Sequence, residues 1–188
     1  VKAVNKALIV YGTRYGAAAS TAQEIAKIFR QQGLDTTVID AKTEKIRDIS
    51  QYSLVVVGSG IQINRWTSEP EKFVKKHQKE LANKKVGLFV CCGSASQTSP
   101  DKAAEAERMK QKYLDEKAFQ LGVQPVALGF FGGVYNYNKE PWWAKKALET
   151  DRPRVEATYK QSEPGIYDTR NWDEIRSWAK ELARKAIV

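Results

Sequence analysis

Cysteine and histidine are scarce in this chain of 188 residues, which holds two of the first and one of the second. The two cysteines, Cys91 and Cys92, are adjacent, so an ordinary disulfide between them is not expected and no disulfide framework exists. A reducing, cytoplasmic setting is the expectation from that usage. The single histidine, His77, has no carboxylate or thiol cluster around it in sequence, so a His-based zinc or iron site is not expected. No apolar run reaches the roughly 18 residues that read as a membrane span. The segment from Val1 to Lys6 is too short and polar for a signal peptide, which argues against secretion. Acidic residues are also in deficit, 22 against 31 basic ones, for a formal charge of +9. Such an excess favours anionic partners: a phosphorylated cofactor, nucleic acid or an acidic membrane surface. Nucleic acid binding is not expected, because no recognisable module or aromatic platform accompanies the charge.

What is present is an ordinary globular balance, 42% hydrophobic and 28% charged, in a length that suits one domain. Ala7–Tyr11, Thr36–Ile39, Leu54–Val57, Val86–Val90 and Pro125–Phe131 are apolar runs without polar alternation. Runs of that kind are expected of strands covered on both faces by helices. Ala22, Ile25, Ala26 and Phe29 fall at helical spacing, and Gly33 follows as a stop. Ser68 with Glu71 is a capping-box pattern opening a helix with Phe73, Val74, His77 and Leu81 on one line. Asp101 to Leu121 carries a stripe of Ala106, Met109 and Tyr113, and Asn171 with Glu174 opens a last helix. Five strands separated by crossovers of helical length predict an α/β, doubly wound, five-stranded parallel sheet in the order 2-1-3-4-5. A single domain is expected over residues 1–188, with one elaborated loop at 132–170, where Lys139–Leu148 is predicted as a short helix.

Ligands of an open parallel sheet sit beyond the carboxyl ends of its strands. After the first strand comes Gly12-Thr13-Arg14-Tyr15-Gly16-Ala17-Ala18-Ala19-Ser20-Thr21, small, hydroxyl-bearing and leading at once into a helix. Backbone N–H groups at such a helix start point at an anion, and the helix dipole favours it. The loop lacks both the Gly-Lys-Ser/Thr ending of a nucleoside-triphosphate loop and three spaced glycines, so a phosphate monoester is the expected ligand.

With the loops Gly58–Trp66 and Cys91–Ser96 after strands three and four, this first loop resembles the cofactor loops of flavodoxins. The resemblance runs from Lys6 to the final helix and implies flavin mononucleotide (FMN) as cofactor. It implies that Thr13 supplies a hydroxyl to the phosphate and that Arg14, Tyr15, Gly16, Ala17 and Ala18 supply backbone N–H groups. The usual flavodoxin loop has Ser or Thr at Tyr15, Asn at Ala17 and Thr at Ala18. Ser20 or Thr21 is expected to replace part of that missing capacity. The same resemblance implies that Gly60, Ile61, Gln62, Ile63, Asn64 and Trp66 on one side, and Cys92, Gly93, Ser94 and Ala95 on the other, flank the isoalloxazine ring. Trp66 either stacks on that ring or caps the core edge. Cys92 either tunes the flavin or is a small buried residue.

Within the flavodoxins the sequence is most similar to the quinone-dependent protoporphyrinogen dehydrogenases, on Thr13-Arg14, Glu71–His77 and the passage from Asp168-Thr169 into Trp172-Asp173-Glu174. That branch also carries a long basic, aromatic insertion, associated with the membrane and the porphyrin substrate. The resemblance implies an oxidoreductase moving electrons from a porphyrinogen-like reductant to a quinone; the alternative is a non-enzymatic carrier docking with redox partner proteins. Tyr135, Tyr137, Trp142 and Trp143 are the substrate or partner candidates, set against a role in packing the loop down. Lys72, Lys75, Lys76, Lys79, Lys84 and Lys85 are read as a solvated helix face or as a docking face for an acidic partner or a peripheral, anionic membrane contact. No side chain is assigned as a catalytic acid or base.

Overall fold

The computed structural model describes residues 5–97 and 99–187; the N-terminal segment at 1–4 lies outside them. Strands β1 (Lys6–Gly12), β2 (Asp35–Asp40), β3 (Leu54–Gln62), β5 (Lys85–Cys91) and β6 (Ala127–Phe131) pair in parallel in the order β2-β1-β3-β5-β6. This is the expected 2-1-3-4-5 order, since the intervening β4 (Arg65–Trp66) only folds back antiparallel on the end of β3.

The period of two sorts each strand's side chains between two cores. Leu8 and Val10 of β1, Val55 and Val57 of β3, and Val86, Leu88 and Val90 of β5 face one side. Helices α2 (Ser68–Leu81) and α4 (Glu116–Leu121) cover it with Phe73, Val74, Leu81 and Leu121. Ala7 and Ile9, Leu54 and Val56, and Phe89 and Cys91 face the other, under α1 (Ala17–Gln31) and α6 (Trp172–Ile187). Full burial of each large apolar side chain is worth about 1.5–3 kcal/mol, so these two layers hold the strand ends, and the loops on them, in place.

The helix boundaries carry two departures from expectation beside two agreements. Gly33, at φ +87°, takes the left-handed turn after α1 as its sequence position predicts. The Ser68–Glu71 capping box does not form: Thr67 is the residue that flanks α2, and its N–H donates to Ser59 Oγ at 2.9 Å. The long helix expected over Asp101–Leu121 is α3 (Pro100–Lys110) and α4 joined by a widened π turn at Gln111–Asp115. That turn buries Tyr113 and Leu114. At α6, by contrast, Asn171 Oδ1 accepts from the Glu174 N–H at 3.1 Å, the cap its sequence signals.

Residues 132–170 are an ordered insertion. Strands β7 (Val134–Asn136), β8 (Gln161–Glu163) and β9 (Ile166–Asp168) form an antiparallel sheet in the order β7-β9-β8, with α5 (Lys145–Thr158) between β7 and β8. The helix expected at Lys139–Leu148 is therefore displaced. Pro141 instead opens a turn, its carbonyl accepting from Ala144 and Lys145, and α5 continues through Pro153. Among its described residues only Val155 is buried, so no apolar stripe marks α5 in the sequence.

Candidate functional site

The loops after β1, β3 and β5 meet beyond the carboxyl ends of those strands, and the insertion closes over them. They enclose two adjoining cavities of about 290 Å³ and 470 Å³. Thr13, Arg14, Tyr15 and Ala17 line the first, together with Gly60, Gln62 and Trp143. Asn64, Ser94, Lys102 and Asp151 line the second. Ile61, Ile63, Cys92, Gly93, Tyr135 and Leu148 border both.

The first loop has the make-up of an anion cradle. Gly16 sits at φ +94° at the start of α1, and its N–H donates to Thr13 Oγ1 at 2.9 Å. The N–H groups of Arg14, Tyr15, Ala17 and Ala18 have no protein acceptor among the described residues. Four unsatisfied donors at the positive end of a helix suit a phosphate. The Ala18 side chain is buried in the α1–α6 core and contributes only its backbone. Ser20 and Thr21 do not replace the missing hydroxyls. Ser20 Oγ lies 3.2 Å from the Gly16 carbonyl and 2.5 Å from Arg170 Nη1, while Thr21 is fully buried and accepts from the Cys91 thiol at 3.4 Å.

The second loop is a tight hairpin, with Ile61 paired to Trp66 and Gln62 to Arg65 across the two tip residues. Both tip residues are left-handed, Ile63 at φ 49° and Asn64 at φ 56°. This conformation is common for Asn and strained for β-branched Ile. Ile63 is nevertheless 64% exposed on the rim of both cavities, and strain of this kind collects at functional positions. The hairpin is pinned from the π turn: the Tyr113 hydroxyl donates to Asn64 Oδ1 at 3.0 Å. Trp66 corrects the stacking expectation. It is a 5% exposed core residue whose indole N–H donates to the Tyr113 carbonyl at 2.8 Å, and its ring does not border the cavities. Gly60 is the opposite case, since a Cβ there would meet nothing within 4 Å, which leaves the backbone open to the cleft.

In the third loop, burial pushes the Cys91 thiol up to about 11 and Cys92 up to about 12, so both stay protonated at neutral pH. Ser94 borders the second cavity, whereas Ala95 packs against the α2–α4 core. The insertion grips this loop. Tyr135 donates its hydroxyl proton to Asp151 Oδ2 at 3.0 Å, and Arg154 donates to both Asp151 oxygens at 2.8 and 2.7 Å. Arg154 Nη1 and the Tyr159 hydroxyl then converge on the Ser96 carbonyl at 3.3 and 3.2 Å. The hydrogen bond from Arg154 holds Asp151 below the usual carboxylate range, and burial pushes the Tyr135 phenol well above its ordinary value. Tyr135 therefore stays neutral at the cleft edge, with its one hydroxyl proton committed to Asp151. Tyr137 stacks on Tyr135 at 6.1 Å and lies outside the cavities; Trp142 is 87% exposed beside Lys145 and Lys146.

Asp151, Arg154 and Arg170 were not singled out from sequence, because only the paired positions of the insertion bring them to the loops. The α2 lysines divide in a way sequence cannot show. Lys72, Lys75, Lys76 and Lys79 are all exposed, with Lys76 also donating to the Ile46 carbonyl, whereas Lys84, beyond the end of α2, is partly buried and donates to that of Tyr52, so part of the row is structural. Among the described residues no helix is long and apolar enough to cross a membrane.

Comparison with known proteins agrees with this architecture. Residues 8–152 match the family described as Flavodoxin domain. A flavodoxin from the domain Archaea superposes with a TM-score of 0.56 at 17% identity, over 97% of this chain and 99% of that one. Two-electron reduced Megasphaera elsdenii flavodoxin gives 0.55 at 16% identity, over 95% and 98%. Rubredoxin oxygen:oxidoreductase from Desulfovibrio gigas gives 0.53 at 16% identity; the whole chain aligns, but with only 38% of that protein. These likenesses establish the fold, and the family match covers most of the sequence: the chain belongs to the flavodoxin family, whose members transfer electrons on FMN.

Proposed function

We propose that this flavoprotein is an oxidoreductase for an apolar, aromatic reductant of porphyrinogen type, with a quinone as electron acceptor. The observation that carries the reading is the insertion over the cofactor loops. Tyr135, Pro141, Trp143, Ala144 and Leu148 build a wall beside Ile61, Ile63 and Gly93, making an apolar cleft of the kind that takes small molecules. FMN, when bound, supplies the redox chemistry, taking up and releasing a hydride or single electrons.

The chain's own residues divide the remaining work. The N–H groups of Arg14, Tyr15, Ala17 and Ala18 and the Thr13 hydroxyl receive the phosphate, with Arg14 adding charge-assisted bonds. Gly60 leaves its backbone accessible to a ring, and Ile63 covers the rim. The Tyr135–Asp151–Arg154 chain holds the third loop at a fixed distance, and the wall of Trp143 and Leu148 keeps water from the cleft. Neutral Cys91 and Cys92 add no charge to its floor. Exposed Trp142 beside Lys145 and Lys146 supports docking of this edge on an anionic surface.

A second reading, an electron carrier that docks with redox partner proteins, is favoured by the end-to-end likeness to stand-alone flavodoxins. Anaerobic reduction of the FMN-loaded protein, followed by mixing with menaquinone or with protein acceptors, separates the two. Fast reoxidation by the quinone supports the enzyme, and turnover of a porphyrinogen in the same assay identifies the donor. Rapid electron transfer to proteins alone, with neither small molecule consumed, sinks the proposed activity.

A further inference from the structure

Arg170 follows β9, far along the chain from the first cofactor loop, yet its guanidinium ends at that loop's helix. Its side chain is only 6% exposed. Nη1 donates to the Ala17 carbonyl at 2.9 Å, to Ser20 Oγ at 2.5 Å and to Thr21 Oγ1 at 3.3 Å, all on the first turns of α1. Nε and Nη2 form a fork on Asp168 at 2.9 and 2.8 Å, and the plane lies 4.3 Å over the Trp172 ring. Burial pushes the Asp168 carboxyl up, but the hydrogen bonds and charge of Arg170 outweigh it and keep the group below the ordinary carboxylate range.

This placement runs against the usual electrostatics of a helix. A cation is unfavourable near the positive end of a helix dipole, and α1 has no acidic residue in its first turn to offset it. Arg14 adds a second positive charge in the same loop. Asp168 neutralises part of this field, and an anion seated in the cradle offsets the rest. The same bonds consume the Ser20 and Thr21 hydroxyls, so they serve the shape of the loop and leave direct contacts to Thr13 and the backbone.

We propose that Arg170, held by Asp168, is the positioning residue of the phosphate loop, and that it makes preference for a phosphorylated flavin depend on the insertion's return strand. The coupling is direct, because Asp168 pairs with Val134 in the small sheet and the next residue, Tyr135, borders the cleft. Losing the guanidinium frees the first turn of α1 and leaves Asp168 as an unpaired anion behind the phosphate cradle. Both changes oppose a dianion and spare the ring. The inference rests on FMN being the cofactor.

The test is flavin-fluorescence quenching by the apoprotein, with FMN and riboflavin titrated in parallel. For Arg170→Ala we expect Kd for FMN to rise by about tenfold or more, while Kd for riboflavin changes less than about threefold; Arg170→Lys, which keeps the charge, recovers part of the FMN affinity. Equal weakening of both flavins, or of neither, overturns the role. Circular dichroism checks folding, and if Arg170→Ala does not fold, Ser20→Ala removes one exposed acceptor instead. Weaker FMN binding with unchanged riboflavin binding in Ser20→Ala supports the role, and no change in either refutes it. Wild-type protein that quenches neither flavin overturns the FMN assignment itself, a result distinct from a wild-type preference that the variants retain.

Discussion

Gly93→Ala tests how the insertion holds the third cofactor loop. A Cβ at this position would lie 2.2 Å from the Tyr135 hydroxyl oxygen and 2.9 Å from its Cζ. Ordinary contact begins near 3.4 Å, so the phenol must withdraw by about 1 Å. It cannot do so and keep the 3.0 Å bond to Asp151, because stacking against Tyr137 and the neighbouring wall restricts the ring. Asp151 keeps its fork to Arg154, so the carboxylate is not stranded and the cost is that of one hydrogen bond to a charged group, about 1.5–3 kcal/mol. In a protein of this length that corresponds to a fall of about 3–12 °C in Tm, read by thermal unfolding of the apoprotein. A double-mutant cycle with Tyr135→Phe isolates the cause, since removing the hydroxyl removes the nearest contact. The two changes together should cost about 1 kcal/mol less than the sum of the singles. FMN binding should weaken in Gly93→Ala, because the displaced ring borders both cavities. A loss below about 0.5 kcal/mol, or equal costs in the two backgrounds, refutes this account of the contact.

Ile63→Gly should stabilise the apoprotein by about 1 kcal/mol in denaturant unfolding, because it relieves a β-branched residue at φ 49°, and should weaken FMN binding by uncovering the rim. Trp66→Phe should lower stability by about 1–2 kcal/mol through the lost indole bond to Tyr113, while the near-ultraviolet and visible spectrum of bound flavin stays unchanged; a large spectral shift would restore the stacking role. Asp151 and Asp168 both have carboxyls held below their unfolded value, so their contribution to stability is complete above that value and is lost as pH falls through the lower folded one. Asp168→Asn should flatten the acid limb of a Tm-against-pH curve, and an unchanged limb would contradict the pairing. Cys91 and Cys92, with thiols raised to about 11 and 12, should resist alkylation by iodoacetamide at pH 8 in the native state and react on unfolding.

The sequence pattern predicted the sheet, its order and the three loops that meet at its carboxyl edge. It did so because strands covered on both faces read as unbroken apolar runs and because helical crossovers leave spaced stripes such as Ile25, Ala26 and Phe29. It also pointed to the phosphate cradle, where function needs backbone N–H groups and small residues. Which side chains reach the cleft depends on contacts between distant parts of the chain. Trp66 turned out to be core because the π turn offers it the Tyr113 carbonyl, and that widened turn leaves no mark in the helical stripe. Ser20 and Thr21 were spent on Arg170, about 150 positions away in the chain. The insertion escaped local reading for a related reason: α5 buries only Val155 among its described residues, and the short strands β7, β8 and β9 exist through pairing with one another. Periodicity records what a segment buries against its own sheet. Contacts made by the ends of long polar side chains across the fold leave no period, and in this protein those contacts set the shape of the site.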